Sequence, residues 1–118
     1  MSTIEHVLAA GDVPFQQIVD LVEPLIPAKA KQTEFGYTYD HGLWAITDAT
    51  WVDDWYDDDR TLPLSKYRFD ISSRAYVAHE WAKQVFTLLS EQTDLELLWV
   101  TDLEPSRVHG HRPAPVPV

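Results

Sequence analysis

The chain of 118 residues has no cysteine, only four glycines, and nine Lys and Arg against nineteen Asp and Glu. Without cysteine there are no disulfides, no thiolate nucleophile, no zinc ribbon and no iron–sulfur ligation. Four glycines leave no Gly-rich loop to cradle a phosphate. The shortage of basic side chains gives a formal charge of −10, which repels phosphate backbones and anionic lipid heads. Neither nucleic acid nor a membrane surface is therefore an expected partner. Long apolar runs are missing as well: no stretch approaches the roughly 20 residues that cross a bilayer. Met1-Ser2-Thr3-Ile4-Glu5-His6 lacks the basic stretch and apolar run of a signal peptide, so the expected location is the cytoplasm.

What is present is apolar surface. Five Trp, five Tyr and four Phe supply a core for one domain of ordinary size. Residues 3–8 alternate as a short strand. Asp12 is placed to cap a helix with Pro14 in its first turn. Phe15, Ile18, Val19, Val22 and Ile26 recur at helical spacing, and Pro24 and Pro27 end that helix. Residues 28–33 read as a polar connector. Phe35, Tyr37 and Tyr39 then share one face of a strand, Asp40-His41-Gly42 turns the chain, and residues 43–47 return, a hairpin.

Further on, Tyr67, Phe69 and Ile71 alternate as a half-buried strand, and Ser72 or Ser73 is placed to cap the next helix. Ala78, Trp81, Ala82, Val85, Leu88 and Leu89 form a wide apolar stripe on that helix. Residues 95–100 are apolar on both faces, the pattern of a covered central strand. The order strand, helix, three strands, helix, strand predicts an α+β two-layer sandwich. In it a mainly antiparallel sheet of about five strands carries two helices on one face. Residues 1–104 form the single domain in this reading. Residues 105–118 form a Pro-rich extended tail with no core to join.

The chemistry-bearing feature is acidic. Residues 40–59 hold seven Asp and no Lys or Arg. Asp53, Asp54, Asp57, Asp58 and Asp59 crowd together with Trp51, Trp55 and Tyr56 among them. Packed carboxylates repel unless something cationic neutralises them. Clustered carboxylates suit Ca²⁺ or Mg²⁺, but Asp57-Asp58-Asp59-Arg60 lacks the alternation, turn glycine and terminal Glu of a calcium loop. The same residues suit a protein interface: the aromatics supply rigid anchors, and the carboxylates steer a basic partner. They also suit a solvated loop whose aromatics tuck back onto the sheet. Carboxylates at suitable spacing can also mimic DNA toward a nuclease, a variant of the interface reading.

Catalytic signals are weak. His79-Glu80 opens like a zinc-protease helix, but Lys83 stands where the second His belongs, so His79 reads as a surface or boundary residue. His109-Gly110-His111 is a histidine pair without evident support. Ser72, Ser73, Asp70 and His79 contain the elements of nucleophilic catalysis but no nucleophile elbow. No catalytic residue, metal ligand or cofactor is therefore assigned from the sequence.

Tyr67-Arg68-Phe69-Asp70-Ile71, then Ala78, Val85, Phe86 and Leu88, then Leu97-Leu98-Trp99-Val100 and Asp102-Leu103-Glu104 resemble a pattern in small actinobacterial and proteobacterial proteins. Some of these are similar to immunity proteins of bacterial polymorphic toxin systems. The resemblance covers residues 67–104 and implies a small cytoplasmic protein that binds and neutralises another protein. The expectation is thus a non-enzymatic module that binds a basic partner, a toxin domain in the most concrete form, through Trp51 and the Asp53, Asp54, Trp55, Tyr56, Asp57, Asp58 and Asp59 run. The alternatives are a homodimer joined through the sheet face of Tyr37 and Tyr39, and a carboxylate–metal enzyme acting on a small substrate.

Overall fold

The computed structural model describes residues 3–49 and 66–115. In chain order they form β1 (Glu5–Ala10), α1 (Phe15–Val22), β2 (Ala30–Thr33), β3 (Gly36–Tyr39), β4 (Trp44–Asp48), β5 (Phe69–Ser73), α2 (Ala78–Gln92), β6 (Glu96–Thr101) and β7 (Val108–Arg112). Every strand pairing is antiparallel, in the order β2-β3-β4-β5-β1-β6-β7. The class is α+β, as the alternating and helical periods imply. Among the described residues no helix is long and apolar enough to cross a membrane.

Strand alternation sends successive side chains to opposite faces, and here both faces are buried along the central strands. Val7, Ala9, Ile46, Phe69, Ile71, Leu97 and Trp99 meet Ile18, Val19 and Val22 of α1 and Trp81, Ala82, Val85 and Leu89 of α2. Leu8, Leu98 and Val100 on the other face pack with Tyr67 and Leu103. Both helices therefore lie on one face. Burying such side chains fully stabilises by roughly 1.5–3 kcal/mol each before the chain-entropy cost is counted. Two polar contacts pin the helix layer: the Trp81 indole donates to the Leu25 carbonyl at 3.1 Å, and the Tyr39 hydroxyl donates to Glu23 at 2.7 Å.

Tyr37 and Tyr39 stand on this helix face. Tyr39 is buried and Tyr37 stacks on Phe15, so the face expected to join two copies is already covered by the chain's own helices.

Two strands escape the sequence pattern, and both are sheet edges. The supposed connector contains β2, whose four residues are all exposed. Its pairing rests on main-chain hydrogen bonds rather than apolar alternation. The supposed tail contains β7, paired to β6 from Leu97↔Arg112 to Val100↔Val108. Polar and charged side chains are what exposed edges carry to resist association. Among the described residues the sheet therefore has seven strands rather than about five.

Helix starts also differ from expectation. Pro14 in extended geometry, not Asp12, occupies the cap of α1, and no side chain caps it. Ser73 Oγ accepts the Ala75 amide at 3.1 Å, a turn that delays the start of α2 to Ala78. The β3–β4 hairpin closes through Asp40, His41 and Gly42, all with positive φ.

Gly36 begins β3 with φ +156°, and a Cβ there would lie 2.1 Å from the Ile46 carbonyl oxygen. That oxygen belongs to the neighbouring main chain and cannot rotate away. Gly36→Ala is expected to cost about 2 kcal/mol or more. At Gly42 (φ +87°) the nearest atom is 3.6 Å away, so Gly42→Ala carries only the left-handed penalty of about 1–2 kcal/mol. Urea unfolding ranks the two; equal costs would contradict this account.

Candidate functional site

Glu5 opens β1, with Ser73 of β5 on one side and Thr101 of β6 on the other. It shares the helix face of the sheet with Val7 and Ala9, and its side chain is only 3 % exposed. Removing a carboxylate from water costs several kcal/mol unless donors replace the lost hydration. Three donors do so. Oε1 accepts from the Trp99 indole at 3.0 Å and from His79 Nδ1 at 3.0 Å, and Oε2 accepts from Thr101 Oγ1 at 2.5 Å. Burial opposes ionisation of Glu5, but the hydrogen bonds from Thr101, Trp99 and His79 together outweigh it and hold the carboxyl below its ordinary range.

The network continues outward. Thr101 Oγ1 lies 2.6 Å from His109 Nε2. Because an ionised carboxylate only accepts, Thr101 donates inward and so accepts from His109. By the same logic His79 carries its proton on Nδ1. His79, His109 and Trp99 pack as a three-ring group with centroids 4.9–5.0 Å apart.

Local structure places each member. His79 is the second residue of α2, whose start sits over the end of β6. Asp102 and Leu103 turn the chain with positive φ, and Asp102 clasps β1 by accepting the Ile4 amide at 2.7 Å. On return, β7 slips register: Trp99 pairs with Gly110 and Val100 with Val108. His109 is thereby the extra residue of a bulge, a device that re-aims a side chain, and here it brings the imidazole to Thr101.

Two further polar groups lie on the opposite face. Glu96 Oε2 meets Lys66 Nζ at 2.5 Å, the Tyr67 hydroxyl at 3.2 Å and His111 Nε2 at 3.4 Å. Burial pushes the Glu96 carboxyl up, but hydrogen bonds from Lys66, His111 and Tyr67 outweigh it, so its pKa lies below the ordinary value of 4.5. Burial and the same carboxylate push the Tyr67 hydroxyl well up. His6 Nδ1 and Asp70 form a buried pair at 2.9 Å.

The serine–histidine–aspartate combination does not assemble. Asp70 and Ser72 face away from the helices, Asp70 with His6, while His79 lies on the helix side with Glu5. Trp51, Asp53, Asp54, Trp55, Tyr56, Asp57, Asp58 and Asp59 lie outside the described residues. Sequence reading noticed His79 and the His109/His111 pair but had no way to join them to Glu5, 74 residues from His79 along the chain. Comparison with protein-family models, with curated proteins and with solved structures found no match.

Removing the central acceptor leaves two buried donors unpaired, so Glu5→Ala is expected to lower the unfolding free energy by about 3 kcal/mol. His111→Ala, losing one long contact, should cost less than about 1 kcal/mol. Urea denaturation distinguishes the two, and a Glu5→Ala protein as stable as wild type would contradict the network.

The Glu96 pKa is lower folded than unfolded. Its contribution is therefore complete above the ordinary glutamate range and is lost as pH falls through that range and below it. The stability gap between wild type and Glu96→Gln should accordingly be largest near neutral pH and shrink on acidification toward pH ~3. A gap that widens on acidification would reverse the assignment.

Proposed function

We propose that the chain is a non-enzymatic protein-binding module, an inhibitor of the immunity type that takes a basic partner protein. The observation that carries this reading is a concentration of exposed apolar side chains at one end of the sheet. Among the described residues the exposed large apolar side chains are Ile4, Phe35, Tyr76, Val77 and Val108. Four of these adjoin the Glu5 network in the chain: Ile4 precedes Glu5, Tyr76 and Val77 lead into His79, and Val108 precedes His109. Tyr76 is fully exposed. An aromatic held in water beside a start-of-helix anchor is the residue type that dominates interface energetics when a partner covers it.

Charge supports the same reading. Glu80, Asp102 and Glu104 are exposed around this end and add to a chain of net charge −10. Such a surface steers a basic partner and accelerates encounter. The Trp51–Asp59 run contributes five more carboxylates, with Trp55 and Tyr56 as further anchors in this proposal. The resemblance of residues 67–104 to small bacterial proteins, some of them similar to immunity proteins, is the reason for reading the module as an inhibitor.

Chromatography of lysate from the source cell over the immobilised chain at low salt should retain a basic protein that a salt gradient releases. The double variant Tyr76→Ala, Val77→Ala should weaken that complex by about thirtyfold, the equivalent of ~2 kcal/mol for a lost anchor. A Trp55→Ala, Tyr56→Ala variant tests the second surface separately. Retention unaltered in both double variants would overturn the reading.

A further inference from the structure

We propose that Glu5, His79 and His109 form a binding site for one divalent transition-metal ion of the zinc type. Each residue offers a ligand atom, and the three atoms lie within 4.8 Å of one another. Two imidazoles and a carboxylate are a set that suits zinc, cobalt or nickel rather than calcium or magnesium. This inference does not depend on the protein-binding reading.

Three observations set the cluster apart from an incidental surface group. Glu5 is buried and, among the described residues, no Lys or Arg pairs with it. Its charge is answered only by neutral donors and an imidazole. A divalent ion is the complement that site lacks. Second, the carboxylate is already oriented by groups outside the ligand set, Trp99 and Thr101, as ligating carboxylates are in built metal sites. Oε2 accepts from Thr101 alone and keeps a second lone pair for an ion. Third, both imidazoles turn one nitrogen inward as a donor, His79 by Nδ1 and His109 by Nε2. These inward nitrogens are the ones that face the carboxylate, and an ion that binds between them and Glu5 displaces the protons they carry.

Geometry limits what must move. Ligand atoms around zinc at 2.0–2.2 Å lie roughly 3–3.5 Å from one another, so the widest separation in the cluster has to contract by up to about 1–2 Å. Glu5 is fixed, whereas the His79 side chain is 56 % exposed and His109 sits on a bulged edge strand. The two rings therefore close onto a stationary carboxylate. Three protein ligands leave one coordination position for water or for a donor from outside the chain.

The test uses the full chain without any histidine tag, stripped with a chelator that is then removed. Calorimetric titration with ZnCl₂ should show one equivalent bound, and CoCl₂ should develop visible d–d absorption on the same stoichiometry. His109→Ala, a change on the exposed edge, should retain the wild-type circular dichroism and weaken zinc roughly tenfold or more. His79→Ala should do the same. His111→Ala, which alters a histidine outside the cluster, should leave binding unchanged. No saturable binding up to millimolar zinc would overturn the proposal. So would binding that survives His109→Ala, or binding that disappears with His111→Ala.

Discussion

One buried carboxylate organises an end of this molecule. Glu5 begins the strand that lies between β5 and β6, and its two oxygens collect donors from the first turn of α2 and from two positions of β6. An isolated ionised carboxylate in this position would be prohibitively unfavourable. Its burial is tolerable only because the helix start, the end of β6 and the bulge of β7 are each where they are. The dependence runs both ways. Without the acceptor, the Trp99 indole and the Thr101 hydroxyl are buried donors with no partner, and His109 loses the group that holds Thr101 in place. Trp81 to Leu25 and Tyr39 to Glu23 are further polar contacts of the helix layer and involve no buried charge cluster.

The same physical rule governs the second face. Glu96 and the His6–Asp70 pair sit among apolar residues of the sheet and are matched by donors within hydrogen-bond reach. Buried polar groups without partners cost about 1–3 kcal/mol each, so a sheet covered on both faces can hold ionisable residues only as satisfied groups. Polar residues that keep contact with solvent are placed at the edges, which is why β2 and β7 are hydrophilic and the centre is not. The sheet thus sorts its side chains by solvation, and the site arises where a buried charge meets an exposed edge.

Most of the architecture was legible from periodicity. The helical stripe of Ala78 to Leu89 and the alternation of Phe69 and Ile71 reflect burial against one layer, which leaves a period in the sequence. The Asp40-His41-Gly42 turn is marked by its residue types. Tyr67, expected on the face of Phe69 and Ile71, instead precedes β5 and packs on the other face with Leu8 and Leu98. β2 and β7 were not legible because edge strands exposed on both sides have no apolar period to read. Helix starts were misplaced for a related reason: Ser73 uses its hydroxyl on a turn two residues on, a local contact that competes with capping. The candidate site was the least visible. Glu5 looked like the polar half of an alternating strand, His79 like a boundary residue and His109 like part of a tail. Only the sheet order, which sets β1 beside β6 and β6 beside β7, brings them together, and the bulge that turns His109 inward has no sequence signature beyond a neighbouring glycine.

Glu5 is an ionised acceptor on which the surrounding donors converge, and histidine tautomers report it directly. Long-range ¹H–¹⁵N correlation spectra of the full chain at mildly alkaline pH, assigned with His79→Gln and His109→Gln, read which nitrogen of each ring carries the proton. His79 is expected in the Nδ1–H form and His109 in the Nε2–H form. An Nε2–H form for His79 would mean that it does not donate to Glu5, and the network would have to be abandoned as the organising feature of this end.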